Sequence, residues 1–213
     1  MESRQFARVA ILLAMILGPG TGPVAPGTAQ NSPSNPAPIH KGMGSSAAPI
    51  RMEVFSDFQC PACRDLYFAT LRPVMENYVM PGKVYLVHRD MPLPMHAYAR
   101  KAAQYANAAA AVGKLERVAE ALYLNQATWS TTGNIEPVVA QVLSPAEMKR
   151  VRQLVASARV NRAIDQDVAL GQSRQVRSTP TVFIIHRGQT IPLPSGGVTY
   201  PLLKQYLDHL LRQ

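Results

Sequence analysis

Cysteine is nearly missing from this sequence. Its 213 residues carry two, Cys60 and Cys63. That excludes a scaffold held by several disulfides and any four-cysteine zinc or iron–sulfur centre. Acidic side chains are also scarce, 13 against 22 Lys and Arg, for a net charge of +9. Aromatic residues make up 7% and include a single tryptophan, Trp129. Basic stretches are therefore not interleaved with the stacking surfaces that single-stranded nucleic acid needs, and no nucleic-acid partner is expected. No apolar run reaches the ~18 residues of a membrane-spanning helix. What remains is a globular composition, 47% hydrophobic and 16% charged, long enough for one domain with an insertion.

The N-terminus is not globular in character. Arg4 and Arg8 precede the apolar run Val9 to Leu17, then Gly18-Pro19-Gly20 and small residues near Gly27-Thr28-Ala29. A basic start, a short apolar middle and a small-residue end predict a secretory signal peptide over 1–29. The mature protein is then periplasmic or secreted, where a thiol pair can be held oxidised. The stretch 18–49 holds seven of the 18 prolines and almost no large apolar side chains. It cannot bury enough surface to offset its ordering entropy, so 30–48 is expected to be a disordered linker. The folded domain is expected over 49–213, large enough to bury about 70% of its unfolded surface without a staple.

Patterning within 49–213 predicts strands at Ile50 to Phe55, Lys83 to His88 and Thr181 to His186, with Gln189 to Leu193 pairing back through Arg187-Gly188. A helix is expected from Pro61, kinked at Pro73. Between the second and third strands the chain reads as helical. Ala97 to Ala111 stops at Gly113, Lys114 to Leu124 follows, and Ser144-Pro145-Ala146-Glu147 is a capping box opening further helix up to Gly171. A last helix spans Thr199 to Leu211.

Cys60-Pro61-Ala62-Cys63 stands where a strand passes into a helix. With Cys60 at the N-cap, Pro61 falls at the first helical position, where its missing N–H costs nothing. The amides of Ala62 and Cys63 then point back at the Cys60 sulfur, and a thiolate there sits at the positive end of the helix dipole. Together these lower the Cys60 pKa by roughly one or two units, towards neutrality. Cys63, nearly one turn on, is the more buried partner. An inert staple is the bland alternative. A four-residue ring, however, gives only ~2 kcal/mol against ~3 for a fifteen-residue loop. Half of a metal site, completed by His88 or His96, is weaker still. Redox chemistry is favoured, with no metal and no cofactor.

The segment Glu53-Val54-Phe55-Ser56-Asp57-Phe58-Gln59-Cys60-Pro61-Ala62-Cys63 resembles the active-site segment of the DsbA-like thioredoxin-fold thiol:disulfide oxidoreductases. Val176-Arg177-Ser178-Thr179-Pro180-Thr181-Val182-Phe183-Ile184 resembles the family's second signature, a cis-proline loop leading into a strand. Pro92-Leu93-Pro94-Met95-His96 and Gly196-Gly197 are also family-like. The resemblance spans about 50 to 212. It implies an α/β protein, a thioredoxin fold with an all-helical insertion domain at about 95–173. It further implies Cys60 as the attacking cysteine, Cys63 as the resolving one, and a cis peptide at Thr179-Pro180. The backbone at Thr179, with Pro61 and Ala62, would hold an extended substrate segment as an added strand. Pro-Ala between the cysteines departs from the Pro-His of the family's strong oxidants, so a less extreme pKa and a less oxidising disulfide are expected.

The resemblance implies a disulfide donor to cysteine-containing exported proteins, monomeric and reoxidised by a membrane redox partner. A reductase or isomerase of the same chemistry is the nearest alternative, and a binding or chaperone module with an inert disulfide the third. Glu53 is either a buried acid relaying protons to Cys63 or, by strand alternation, turned to solvent. Arg64 and Arg177 flank the two signatures and either stabilise the Cys60 thiolate or face solvent. Lys149, Arg150, Arg152, Arg159 and Arg162 read as a solvated helix face, His96 as a loop residue, and Tyr98, Tyr105 and Trp129 as core of the insertion.

Overall fold

The computed structural model describes residues 38–194 and 198–213. The expected signal peptide, the first part of the linker (30–37) and Gly196-Gly197 lie outside those residues.

Five strands form one mixed sheet in the order β1-β3-β2-β4-β5. They are β1 (Gly42–Met43), β2 (Ile50–Ser56), β3 (Val84–Asp90), β4 (Thr181–His186) and β5 (Gln189–Pro192). β2 is central, parallel to β3 and antiparallel to β4. Its first five residues alternate apolar and charged side chains, yet six of its seven positions are buried, because both faces of this central strand are covered. Ile50, Met52 and Val54 join the main core with Val84, Leu86, Val182 and Ile184. Phe55 packs edge-on against Phe183 on the opposite face, in a smaller cluster with Val176.

After β2 the chain enters α1 (Pro61–Leu66). It continues helically through a π turn (Tyr67–Leu71), α2 (Arg72–Val74) and a second π turn (Met75–Val79). Pro73 sits between the two π turns, where the ordinary hydrogen-bond ladder is already broken. The insertion comprises α3 (Ala99–Ala110), α4 (Leu115–Leu124), α5 (Gln126–Trp129), α6 (Glu136–Ala140), α7 (Pro145–Leu154) and α8 (Ala158–Ser173). Gly113 stops α3 from a φ of 73°, a conformation that favours glycine. The capping box at Ser144 and Glu147 is fully formed. Trp129 is completely buried, its indole N–H donating to the Leu122 carbonyl. α8 returns the chain across the sheet. A Cβ on its Gly171 would lie 3.2 Å from the Phe55 ring, so this helix and β2 approach as closely as glycine allows. α9 (Tyr200–Leu210) closes the fold.

One expectation is corrected. The end of the proline-rich stretch, 38–48, is part of the fold: β1 pairs with β3, and Ile39 and Lys41 are buried. Composition missed this because one buried charge, Lys41, holds the segment beside only a few apolar contacts from Ile39 and Met43. The Lys41 ammonium reaches Asp90 at 2.5 Å and also pairs with Asp167. Asp90 further accepts from Asn107, and Arg89 joins Asp167 to Glu53. This buried network ties the N-terminal segment, β2, β3 and α8 together.

Candidate active site

The site begins where β2 ends. Cys60 is the N-cap of α1, in an extended conformation, with Pro61 first in the helix. Its carbonyl accepts from the amides of Cys63 and Arg64. Pro61 and Ala62 are exposed, and Cys63 points into the core. Both cysteines are free thiols. Cys60 keeps 7% of its surface and Cys63 1%, so a partner reaches the first sulfur and not the second.

The loop Thr179-Pro180 lies against Cys60, and its peptide bond is cis. The Cys60 thiol donates to the Thr179 carbonyl at 3.5 Å. The two family-like segments, 119 residues apart, thus meet at one sulfur. A groove of about 290 Å³ beside it is lined by Ala62, Leu66, Ala69, Pro180, Val182 and Val198.

The two sulfurs are driven in opposite directions. The Cys60 thiol is lowered from 9.0 to about 5. A hydrogen bond from Cys63 is the largest cause and outweighs burial. The Cys63 and Ala62 amides add to it. The direction is the one the N-cap position predicts, but the fall is larger than the one or two units expected from dipole and amides, because the Cys63 thiol adds a hydrogen bond of its own. Cys63 is raised, mainly by burial and then by the neighbouring Cys60, with a hydrogen bond from the Asp57 amide (3.4 Å) and the Ser56 hydroxyl opposing.

Several residues that build this site were not singled out by sequence. The Asp57 carboxylate is buried under the loop, accepting from the amides of Gln59 (2.7 Å) and Leu93 (2.8 Å) and pairing with His96 Nδ1 at 2.8 Å. Gln59 reaches the insertion, donating to the Ser130 carbonyl and accepting from the Tyr98 amide. Gln126, at the start of α5, returns the contact by donating to the carbonyls of Phe58 (2.7 Å) and Cys60 (3.0 Å). Ser56 Oγ lies 2.6 Å from the Tyr123 hydroxyl. Asp57 stands inside the segment that carries the resemblance and was within reach of sequence reasoning. Tyr123 and Gln126 lie sixty or more residues from the cysteines, and nothing local marks them.

Other candidates separate. Glu53 is buried, but on the face of β2 away from Cys63, bound by Arg51 (2.5 Å), Arg89 (2.8 Å) and Arg174. Strand alternation therefore decides against a relay from Glu53 to Cys63. Burial pushes its carboxyl up, but Arg89 and the other arginines hold it below the usual range. Arg64 is turned to Asp65, and Arg177 is exposed. His88 and His96, the ligands a metal site would have needed, are engaged by Asp90 and Asp57. Arg152 pairs with Glu136 on the helix surface.

Comparison with known proteins agrees with the geometry. A model of the family described as thioredoxin matches residues 34–194. The chain is 24% identical over 151 residues to "Probable disulfide bond formation protein D" of Bacillus cereus, covering 67% of this chain and 68% of that protein. The crystal structure of α-DsbA1 from Wolbachia pipientis superposes with a TM-score of 0.66 at 18% identity, over 82% of this chain and 92% of that one. A thioredoxin-like oxidoreductase from Silicibacter pomeroyi gives 0.67 at 22% identity, over 83% and 95%. The sheet carries a CxxC at a helix start with a cis-proline loop against it, the helical insertion is that of a DsbA-like fold, and the family match covers most of the sequence: the chain belongs to the thioredoxin family.

Proposed function

We propose that the protein is a thiol–disulfide oxidoreductase that exchanges a Cys60–Cys63 disulfide with cysteines of other proteins, acting as a disulfide donor. One observation carries this reading. Cys60 is the partly accessible sulfur, its anion is favoured at the N-cap of α1, and Cys63 stands behind it, buried and kept protonated. A substrate thiolate attacks Cys60, the ring disulfide opens, and Cys63 leaves. A second substrate thiol then attacks the mixed disulfide, and Cys60 departs as a thiolate. A stabilised thiolate is a good leaving group, and stabilising the reduced protein makes its disulfide the stronger oxidant.

Substrate would lie extended beside Pro180, in the groove bounded by Ala62 and Val182. Its backbone would pair with that of Thr179, while the exposed Pro61 and Ala62 border the sulfur. Such a site takes unfolded, cysteine-containing segments and needs no cofactor. The basic and apolar pattern of residues 1–29 supports work outside the cytosol as a periplasmic or secreted protein, with a membrane redox partner restoring the disulfide.

The test is turnover on a reduced, unfolded protein with two cysteines. Wild type should oxidise it and Cys60→Ser should not; equal activity in both removes the reading. Equilibration with a glutathione buffer fixes the direction. A poise near or above that of an oxidising compartment supports the donor role, and one far below turns it into a reductase.

A further inference from the structure

If Cys60 and Cys63 exchange a disulfide as proposed, Cys63 must take up a proton whenever the ring opens and release one whenever it closes. In opening, a substrate thiolate bonds to Cys60 Sγ, the Cys60–Cys63 bond breaks, and its electron pair leaves on Cys63. In closing, the Cys63 thiol loses its proton as it attacks Cys60 of the mixed disulfide, and the substrate thiolate departs. Cys63 is 1% exposed, so solvent does not serve it directly.

The surroundings leave few carriers. Glu53 faces the other side of the sheet and is bound by arginines. The Asp57 carboxylate is taken by Gln59, Leu93 and His96, and only its backbone N–H reaches the Cys63 sulfur. From β2, the Ser56 hydroxyl favours the Cys63 thiolate, and the amide of the next residue, Asp57, reaches that sulfur at 3.4 Å. From α4, Tyr123 meets Ser56 at 2.6 Å, fully desolvated and packed against Phe58 and Tyr67. Burial, then the nearby Cys63, keeps the Tyr123 phenol protonated. Behind the two hydroxyls lies a cavity of about 30 Å³, which they line together with Tyr67, His88 and, at an exposed position, Glu116. That is room for about one water molecule.

We propose that Ser56 and Tyr123 are a two-hydroxyl proton path to Cys63. Ser56 donates to the leaving sulfur, Tyr123 replaces the proton on Ser56, and water entering the cavity beside Glu116 replaces the proton on Tyr123. Ring closure runs the same transfers in reverse. Ser56 acts on the reacting sulfur; Tyr123 is a positioning residue that acts through it.

The experiment traps glutathione on Cys60 and follows its release by Cys63 as a function of pH. Without the Ser56 hydroxyl the Cys63 thiolate loses a hydrogen bond, so its pKa climbs and the rising limb of the profile moves up. Ser56→Ala and Tyr123→Phe should each release glutathione about tenfold more slowly at about pH 7, with that limb displaced upward by about one unit. Alkylation of reduced Cys60 should stay within about twofold of wild type, since that sulfur is not on the path. Ser56→Thr, which restores a hydroxyl, should recover the rate. Tyr123→Phe keeps the ring in its aromatic stack, and Ser56→Ala is a second, smaller change. Release within about twofold of wild type in both variants overturns the path, as does a loss equal at every pH, the mark of a packing defect. A wild-type protein that releases no glutathione at all overturns the oxidoreductase reading itself.

Discussion

Two cysteines three positions apart end on opposite sides of the ordinary thiol range, and the difference has a pH signature. The reduced fold favours the Cys60 anion, lowered from 9.0 to about 5. A depressed acid adds stability that is fully present above its unfolded value and lost as pH falls through its folded one. Cys63, raised by burial, acts with the opposite sign and costs stability once the unfolded thiol ionises. Unfolding midpoints of the reduced protein, referred to the oxidised form, should therefore rise from about pH 5 towards 9 and then turn down. A thiolate absorbance titrating near about 5 would match the same assignment, whereas a midpoint below about 4 would contradict the milder chemistry expected of Pro61-Ala62. Gln126 offers a second check. Gln126→Leu removes the donors to the Phe58 and Cys60 carbonyls and should lower stability by about 1–3 kcal/mol in denaturant titration.

Among the elements, one of the weakest by sequence is anchored by a buried charge. β1 has two residues, yet the segment leading to it delivers Lys41 to Asp90 and Asp167 in the interior. Lys41→Met leaves two buried carboxylates short of their counter-charge, and denaturant unfolding should show a loss of about 3–5 kcal/mol. Ser144→Ala breaks the capping box that opens α7. It should cost only about 1 kcal/mol, because the cap is exposed and water replaces its hydrogen bonds. The contrast orders the two by burial rather than by how clearly each is written in the sequence.

For the whole molecule the buried ion network sets an acid limit. Burial pushes the Asp90 carboxyl up, but Lys41 and His88 hold it well below its ordinary 3.8, and the arginines do the same for Glu53 against 4.5. Both are depressed acids, so their contribution is complete above about pH 4.5 and declines as pH falls below it. Thermal midpoints should accordingly hold above that pH and drop steeply beneath it; Lys41→Met should flatten the drop. A midpoint that declines smoothly from neutral pH, with no break near the carboxylate range, would contradict the assignment.

The sequence by itself determined the strands β2 to β5, the helix opening at Pro61, the helical insertion and the paired cysteines at the helix start. These are local: hydrophobic period, capping residues and a cysteine at a strand-to-helix junction act within a few residues. Tertiary structure alone decided that Glu53 faces arginines rather than Cys63, because a strand's register fixes its faces only once its neighbours are in place. It alone brought Gln126 and Tyr123 to the cysteines, and folded 38–48 against the sheet through Lys41. Those contacts join residues far apart in the chain. Their energy comes from desolvated charges and hydrogen bonds, which exist only after the interior has formed and leave no period or spacing to read beforehand.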